Sequence, residues 1–221
     1  MPLFYKKEIN STTSLAVWKI EEPESFFLAY VPLSYNISHP HKRLQHLAGR
    51  YLLQYLYPDF PISSIQIADS RKPFLQEKKY HFSISHCGDY AAAIVSSTEK
   101  AGIDIELVRT TVSKISHRFM HEEEVRHLLG LGLDTNLTAN NFLELEVKLT
   151  ELTLHWCAKE AIYKWWGMGD VNFREMIRIE NFVLSDNGIN LAKFTKDNVT
   201  YPLLLNHLVF DKICLVWLNG K

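Results

Sequence analysis

Apolar residues in this chain recur with two different periods, and the alternation between them limits the folds that the sequence can adopt. Short runs such as 80–85 and 90–96 are rich in apolar residues over six or seven positions, as β-strands are. The stretches 41–57 and 153–166 instead place apolar residues three and four positions apart, which is the spacing of a helix face. Strands mixed with helices, without a repeat of fixed period, predict an α+β protein and argue against a solenoid or a propeller.

The predicted elements fall into two groups, each of which mixes helix and strand. In the first group we expect a helix at 41–57 and strands at 15–20, 26–31, 64–68, 80–85 and 90–96. In the second we expect a strand at 101–107, strands from 176 to 217, and helices at 115–129, 141–149 and 153–166. The polar break at 97–100 predicts a boundary that divides the chain into residues 1–98 and 99–221. The stretch 130–149 carries no functional pattern.

Charge and cysteine content narrow the class of protein. The chain has 24 Lys and Arg residues and 25 Asp and Glu residues, which gives a net charge of −1. It therefore lacks the excess of positive charge that would attract nucleic acid or an acidic membrane surface. No apolar run approaches the roughly 18 residues that crossing a bilayer requires. Three widely spaced cysteines, Cys87, Cys157 and Cys214, fit neither a disulfide framework nor a zinc site. We therefore expect a cytoplasmic protein.

Two carboxylates alternate with two isoleucines in the strand predicted at 101–107. Side chains two apart on a strand point to the same face, so Asp104 and Glu106 project together, while Ile103 and Ile105 face a core. Adjacent carboxylates repel unless a cation compensates them, and oxygen ligands of this kind suit Mg²⁺ together with phosphate and water. The pair is a candidate metal-phosphate site, with a solvated acidic strand face as the alternative.

The helix predicted at 153–166 carries Trp156, Glu160 and Lys164 along one face, because residues four apart stack on a helix. Lys159 lies roughly 100° around the helix from Glu160. The helix thus offers a carboxylate flanked by cations that could bind phosphate oxygens. A Glu–Lys helix salt bridge without further function is the alternative.

Further anion-binding groups precede these two motifs. Ser83 and Ser85 share one face of a predicted strand and His86 opens the turn after it, so hydroxyl, imidazole and turn amide groups could donate to an anion. Basic side chains also occur at Lys42, Arg43, Arg50, Arg71 and Lys72. Neighbours on a strand point apart, so Ser85 and His86 do not predict a hydrolase triad. Simple solvent exposure is the alternative for each group.

Four motifs follow one another along the chain: Arg71-Lys72-Pro73-Phe74-Leu75, Phe82-Ser83-Ile84-Ser85-His86, Gly102-Ile103-Asp104-Ile105-Glu106 and Trp156-x-x-Lys159-Glu160-Ala161-x-x-Lys164. Together, in this order, they resemble the larger, surfactin-type 4'-phosphopantetheinyl transferases. The segments 49–53 and 118–124 also resemble segments of that family. The chain departs from the family pattern at Arg71, where members often have Gly, and at Cys87, where they often have Ser.

The resemblance implies an α+β monomer of two similar α/β halves, which are related by a pseudo-twofold axis and have the active site in the cleft between them. It implies Mg²⁺ as cofactor, coenzyme A as substrate and an apo acyl or peptidyl carrier protein as partner. The implied reaction transfers the 4'-phosphopantetheine group to a carrier serine and releases adenosine 3',5'-bisphosphate.

The matching motif positions imply three metal ligands, which are Asp104, Glu106 and Glu160. Some of these matching positions, together with the anion-binding groups described above, form the set that is expected to contact coenzyme A. This set consists of Arg43, Arg50, Arg71, Lys72, Ser85, His86, Lys159 and Lys164. Glu160 is the expected general base, acting directly or through a metal-bound water, and Lys164 and His86 are expected to stabilise charge on the phosphate oxygens. Glu124 is expected close to the metal or its water.

Two other activities stay open at this point. One is an Mg²⁺-dependent hydrolysis of the pyrophosphate in coenzyme A or a nucleotide. The other is binding of coenzyme A or a carrier without catalysis.

Overall fold

The computed structural model describes residues 2–33, 36–77, 79–130, 142–180 and 185–220 and confirms a mixed fold of helices and strands. The chain forms two compact units. The first comprises Met1–Ile105, Lys164–Gly169 and Asn219–Lys221, and the second comprises Glu106–Tyr163 and Asp170–Leu218. The expected boundary near residue 98 and the pseudo-twofold relation stay predictions. Within the described ranges, no helix has both the length and the apolarity that crossing a membrane needs.

In its described part, the first unit contains two antiparallel sheets and two helices. Its elements are β1 (Leu3–Asn10), β2 (Thr13–Lys19), α1 (Glu24–Leu28), α2 (Pro40–Leu56), a 3₁₀ turn (Ile62–Ser64), β3 (Ile65–Ile67), β4 (Pro73–Leu75), β5 (His81–Cys87), β6 (Tyr90–Ser96) and most of β7 (Lys100–Leu107). One sheet has the strand order β1-β2-β6-β5 and the other pairs β3 with β4. The hairpin predicted from 80 to 96 is therefore confirmed as β5 and β6.

Helix α2 packs on the first sheet because its apolar residues lie on one side. Pro40 begins the helix, at a position where a missing N–H group costs no hydrogen bond. Leu47 and Leu52 are completely buried against β-sheet side chains such as Trp18. Gly49 allows a close approach to β5, since a β-carbon at this position would lie 2.5 Å from Ile84 Cγ2. The helix that carries Arg43 and Arg50 is thus fixed to the strand that carries Ser85.

The second unit contains four helices and one sheet among its described residues. Its elements are the end of β7, α3 (Thr111–Phe119), α4 (Glu122–Gly130), α5 (Phe142–Trp166) up to Tyr163, α6 (Phe173–Met176), β8 (Ile177–Glu180), β9 (Asn187–Lys196), β10 (Val199–Phe210) and most of β11 (Ile213–Gly220). The strand order of the sheet is β7-β11-β10-β9-β8. Asp197 and Asn198 join β9 to β10 with φ values of 51° and 62°, as a tight hairpin turn requires.

The strand expected at 26–31 is wrong, because this segment begins in helix α1. Pro23 precedes the helix in an extended conformation and Glu24 lies in its first turn, where a carboxylate is favourable. Phe27 is completely buried, whereas Leu28 and Tyr30 are exposed. A short apolar run does not distinguish a strand from one turn of helix, and the contact of Phe26 with Tyr51 supports the helix.

Two further expectations differ from the structure. The N-terminal segment, for which no strand was expected, forms the edge strand β1, and its exposed Lys6, Lys7 and Glu8 protect that edge. The helices expected at 141–149 and 153–166 form the single helix α5, which starts at Phe142. Residue 141, residues 181–184 of the expected strand region and most of the stretch 130–149 lie outside the described residues.

Gly49→Ala is expected to lower the free energy of unfolding by about 1–3 kcal/mol, because the new methyl group collides with the stiff, β-branched Ile84. This loss should exceed the gain in helix propensity. Urea unfolding followed by circular dichroism measures the change. The same substitution in an Ile84→Ala background should cost less, and an equal cost in both backgrounds would contradict the close approach.

Candidate functional site

The two acidic residues of β7 differ in their surroundings. Asp104 is buried, with 2% of its surface exposed, and lies between the buried residues Ile103 and Ile105. Glu106 is half-buried near the end of the strand. A carboxylate as buried as that of Asp104 needs compensating donors, because removing a charge from water is costly. Its partners therefore determine what this part of the site can do.

Within the first unit, Asp104 interacts with a serine and a lysine through a single oxygen. Ser85 Oγ donates to Asp104 Oδ1 at 2.6 Å, and Lys164 Nζ donates to the same oxygen at 2.5 Å. Lys164 Nζ also donates to Ser85 Oγ at 2.9 Å, which closes a triangle. Asp104 Oδ2 is buried and has no hydrogen-bond partner among the described residues. This oxygen is a potential ligand for a cation.

Helix α5 exposes one narrow stripe along its second half. From 150 to 165 nearly every residue is buried, and the partly exposed ones are Trp156, Glu160, Tyr163 and Lys164. Three of these residues are four positions apart, so the predicted face of the helix is confirmed. In the second unit, Trp156 Nε1 donates to Glu106 Oε1 at 3.0 Å and thus orients that carboxylate.

The predicted metal ligands are oxygen donors of the kind that Mg²⁺ prefers. Taken separately, Asp104 Oδ2, which lacks a partner among the described residues, and the carboxylate of Glu106, which Trp156 orients, are each donors of this kind. No group of three or more His, Cys, Asp or Glu side chains that could hold a metal occurs in the described part of the chain. The metal site therefore stays a prediction.

Arg50 and His86 lie in the first unit and differ in accessibility. Arg50 is buried, and its Nη1 donates to His46 Nδ1 at 3.0 Å. Burial, and then the charges of Arg50 and His86, lower the pKa of His46 to about 4, so its ring is neutral and can accept this bond. His86 is exposed at the end of β5; partial desolvation and then Lys164 lower its pKa.

Three other basic residues of the first unit have different environments. Both oxygens of Glu24 accept from Arg43 Nε at 2.8 Å, so this guanidinium is held by a carboxylate. Lys72 Nζ donates to the carbonyl of Lys164 at the end of α5, and burial and the charge of Lys100 lower its pKa to about 8. Arg71 is exposed and adopts a positive φ of 63°. Contacts of these residues with coenzyme A stay predictions.

Lys159 and Glu124 form an ion pair in the interior of the second unit. Lys159 Nζ donates to Glu124 Oε2 at 2.6 Å, and the side chains are 0% and 3% exposed. Burial lowers the pKa of Lys159 to about 8, with Glu124 acting in the opposite direction, so the amine is still charged at pH 7. The predicted phosphate contact of Lys159 would require this pair to open.

The carboxylate of Glu124 is fixed by two backbone groups as well. Ile179 N donates to its Oε1 at 2.9 Å and His121 N donates to its Oε2 at 2.8 Å. In this arrangement the carboxylate joins helix α4 to strand β8. The predicted position of Glu124 near a metal or its water stays a prediction.

Two residues that hydrogen-bond to predicted site residues carried no predicted function of their own. Trp156 orients Glu106, and His46 holds Arg50. Spacing could have indicated both, since each lies four positions before a predicted site residue on a helix, Glu160 and Arg50 respectively.

The first unit also contains a cavity of about 350 Å³ beside Lys72. Its walls are largely apolar and aromatic and include Phe74, Trp165 and Met168. Lys100 Nζ lies 5.5 Å from the centre of the Trp165 ring, which places a second cation at the cavity. Aromatic walls with two amines suit a ligand that has both an apolar part and an anionic part.

Comparison with known proteins agrees with the motifs. Residues 100–211 match the sequence model of the 4'-phosphopantetheinyl transferase superfamily. Enterobactin synthase component D of Escherichia coli (strain K12) is 30% identical over 126 residues, which are 56% of this chain and 54% of that protein. The protein of the same name from Salmonella typhi is 27% identical over 126 residues, or 56% of this chain and 47% of that protein. The chain spans about half the length of the curated relatives it matches.

Lys159→Met is expected to lower the free energy of unfolding by about 3–5 kcal/mol, because Glu124 would stay buried without its cation. Urea unfolding of the purified protein measures the change. Lys79→Ala is the matched control, since it removes an exposed pair with Asp59 and should change stability little. The double variant Lys159→Met/Glu124→Gln should recover part of the loss. A Lys159→Met protein as stable as wild type would contradict the structural role.

Proposed function

Because this chain belongs to the 4'-phosphopantetheinyl transferase superfamily, we propose that it transfers the 4'-phosphopantetheine group of coenzyme A to a serine of an apo carrier protein. The observation that carries the proposal is the buried carboxylate of Asp104, which has one oxygen bound to Ser85 and Lys164 and the other without a partner among the described residues. Strand β7 and helix α5, which supply the proposed catalytic groups, both lie within the matched residues 100–211.

Asp104, Glu106 and Glu160 would hold the Mg²⁺ of the proposed enzyme. The unpartnered Asp104 Oδ2 and the orientation of Glu106 by Trp156 support this assignment. When bound, Mg²⁺ supplies positive charge for the oxygens of the pyrophosphate. The protein's own contribution is to direct these carboxylates, which the indole of Trp156 does for Glu106.

The cations of the first unit would bind the phosphates of coenzyme A. Lys164, His86 and Lys72 are the proposed ligands of the coenzyme A phosphates, and Arg50 is proposed for the nucleotide end. Lys164 is partly exposed and lies at the end of a helix, so its amine can reach a bound anion. Arg50 is preorganised by neutral His46, which lowers the entropic cost of ordering its side chain.

In the proposed reaction, Glu160 takes the proton of the carrier serine as general base. The serine oxygen forms a bond to the β-phosphorus of coenzyme A, and the bond from that phosphorus to the bridging oxygen breaks. Adenosine 3',5'-bisphosphate leaves with the electron pair of that bond. Lys164 and His86 stabilise the charge on the phosphate oxygens during transfer.

The acceptor and the cellular setting belong to the same proposal. Since the matched relatives are named as components of a synthase, carrier domains of synthases are the first acceptors to test, followed by acyl carrier proteins. We propose a cytoplasmic monomer. The net charge of the chain is only −1, so the chain as a whole would not attract an acidic carrier. The attraction would have to come from the local cations of the first unit.

Asp104→Asn and Glu160→Gln are each expected to lower the rate of transfer at least about 100-fold, because each removes one charge from the site that stabilises the transferring phosphoryl group. The measurement is the mass gain of an apo carrier incubated with coenzyme A and Mg²⁺. Glu77→Gln is the control, since Glu77 is exposed in a turn. Full activity of both site variants would contradict the proposal.

The same assay separates the two other activities. Release of adenosine 3',5'-bisphosphate in the absence of any carrier would indicate a hydrolase. Binding of coenzyme A without transfer to any member of a carrier panel would indicate a binding protein.

A further inference from the structure

We propose that Lys164 is an internal counter-cation that occupies Asp104 until coenzyme A arrives, so that a divalent cation and Lys164 compete for this carboxylate. The inference rests on the proposed function and adds an order of events to it. Before coenzyme A binds, Lys164 neutralises Asp104 and the metal binds weakly. When coenzyme A binds, its pyrophosphate attracts Lys164 away and the metal binds tightly.

The contact between the two residues is close and partly shielded from water. Lys164 Nζ lies 2.5 Å from Asp104 Oδ1, and the side chains are 23% and 3% exposed. At such a distance and burial, a full positive charge compensates much of the carboxylate charge. This compensation removes the electrostatic attraction that would otherwise draw a divalent cation to Asp104.

Simultaneous binding of both cations to this carboxylate is unfavourable. Mg²⁺ binds carboxylate oxygens at about 2.0–2.1 Å. An ion at Asp104 Oδ2 would therefore lie within a few ångströms of the Lys164 ammonium on Oδ1. Like charges this close repel strongly where water is largely excluded. The metal consequently binds better after Lys164 has moved.

Ser85 allows Lys164 to leave without exposing Asp104. The Ser85 hydroxyl donates to Asp104 Oδ1 at 2.6 Å and accepts from Lys164 Nζ at 2.9 Å. When the amine moves to a phosphate oxygen, the serine bond to Asp104 can persist. Lys164 lies within the last turn of α5, so only its flexible side chain has to move.

Mn²⁺ binding to the purified full-length chain tests the proposal, with electron paramagnetic resonance measuring the free ion. Without coenzyme A, Lys164→Gln is expected to bind Mn²⁺ at least 10-fold more tightly than wild type. Lys164→Arg keeps the charge and is expected to bind as weakly as wild type. In an Asp104→Asn background, the gain from Lys164→Gln should disappear. Equal or weaker Mn²⁺ binding by Lys164→Gln would overturn the proposal.

A second measurement uses the wild-type protein and is independent of how well the variants fold. The rate of acylation of Lys164 by an amine-reactive ester, followed by peptide mass spectrometry, should rise several-fold when Mn²⁺ saturates the site. An unchanged rate under saturating Mn²⁺ would overturn the competition.

The two measurements distinguish failure of this inference from failure of the proposed function. If wild type binds Mn²⁺ in the presence of coenzyme A but Lys164→Gln shows no gain without it, only the competition is wrong. If neither protein binds Mn²⁺ under any of these conditions, the proposed metal site is wrong and the inference falls with it.

Discussion

The second unit depends on the hydrogen bonds of one buried ammonium group. Lys159 is completely buried, and its three N–H donors are shared among Glu124 and the carbonyls of Phe119, Phe173 and Ile177, whose oxygens lie 2.6, 3.2 and 3.1 Å from Nζ. These acceptors come from the end of α3, from α6 and from the start of β8, while the lysine itself belongs to α5. A buried charge is tolerated only when its donors are satisfied, so these segments must meet at one point. The lysine thereby fixes the rotation of α5 about its axis.

That rotation determines which side of α5 is accessible. Glu160 follows Lys159 directly, so it points roughly 100° away from the buried lysine, and Trp156 and Lys164 lie on the same stripe as Glu160. The aromatic contacts of Trp156 with Phe119 and Phe173, at 5.2 and 5.7 Å between ring centres, support this orientation. The burial of Lys159 therefore sets the direction in which the adjacent residue, the proposed catalytic Glu160, points.

The sequence allowed the stripe on α5 and the strand β7 to be predicted, because helical and extended spacing determine which side chains share a face. The environment of Lys159 was not predictable in the same way, since its partner Glu124 lies 35 residues earlier in the chain. Spacing indicates which face a lysine occupies but not whether that face is exposed to solvent. The error at 26–31 has a related cause, because a run of apolar residues indicates burial without indicating backbone conformation.

The departure from the family pattern at Arg71 also has a physical explanation. Its φ of 63° lies in the left-handed region, where glycine is favoured and another residue costs about 1–2 kcal/mol. The turn keeps its shape through two backbone bonds, from Arg71 N to the carbonyl of Ala68 at 2.8 Å and from Ala68 N to the carbonyl of Lys72 at 2.9 Å. Arginine thus preserves the turn that glycine would form with less strain. In return it adds an exposed cation next to Lys72 in the chain.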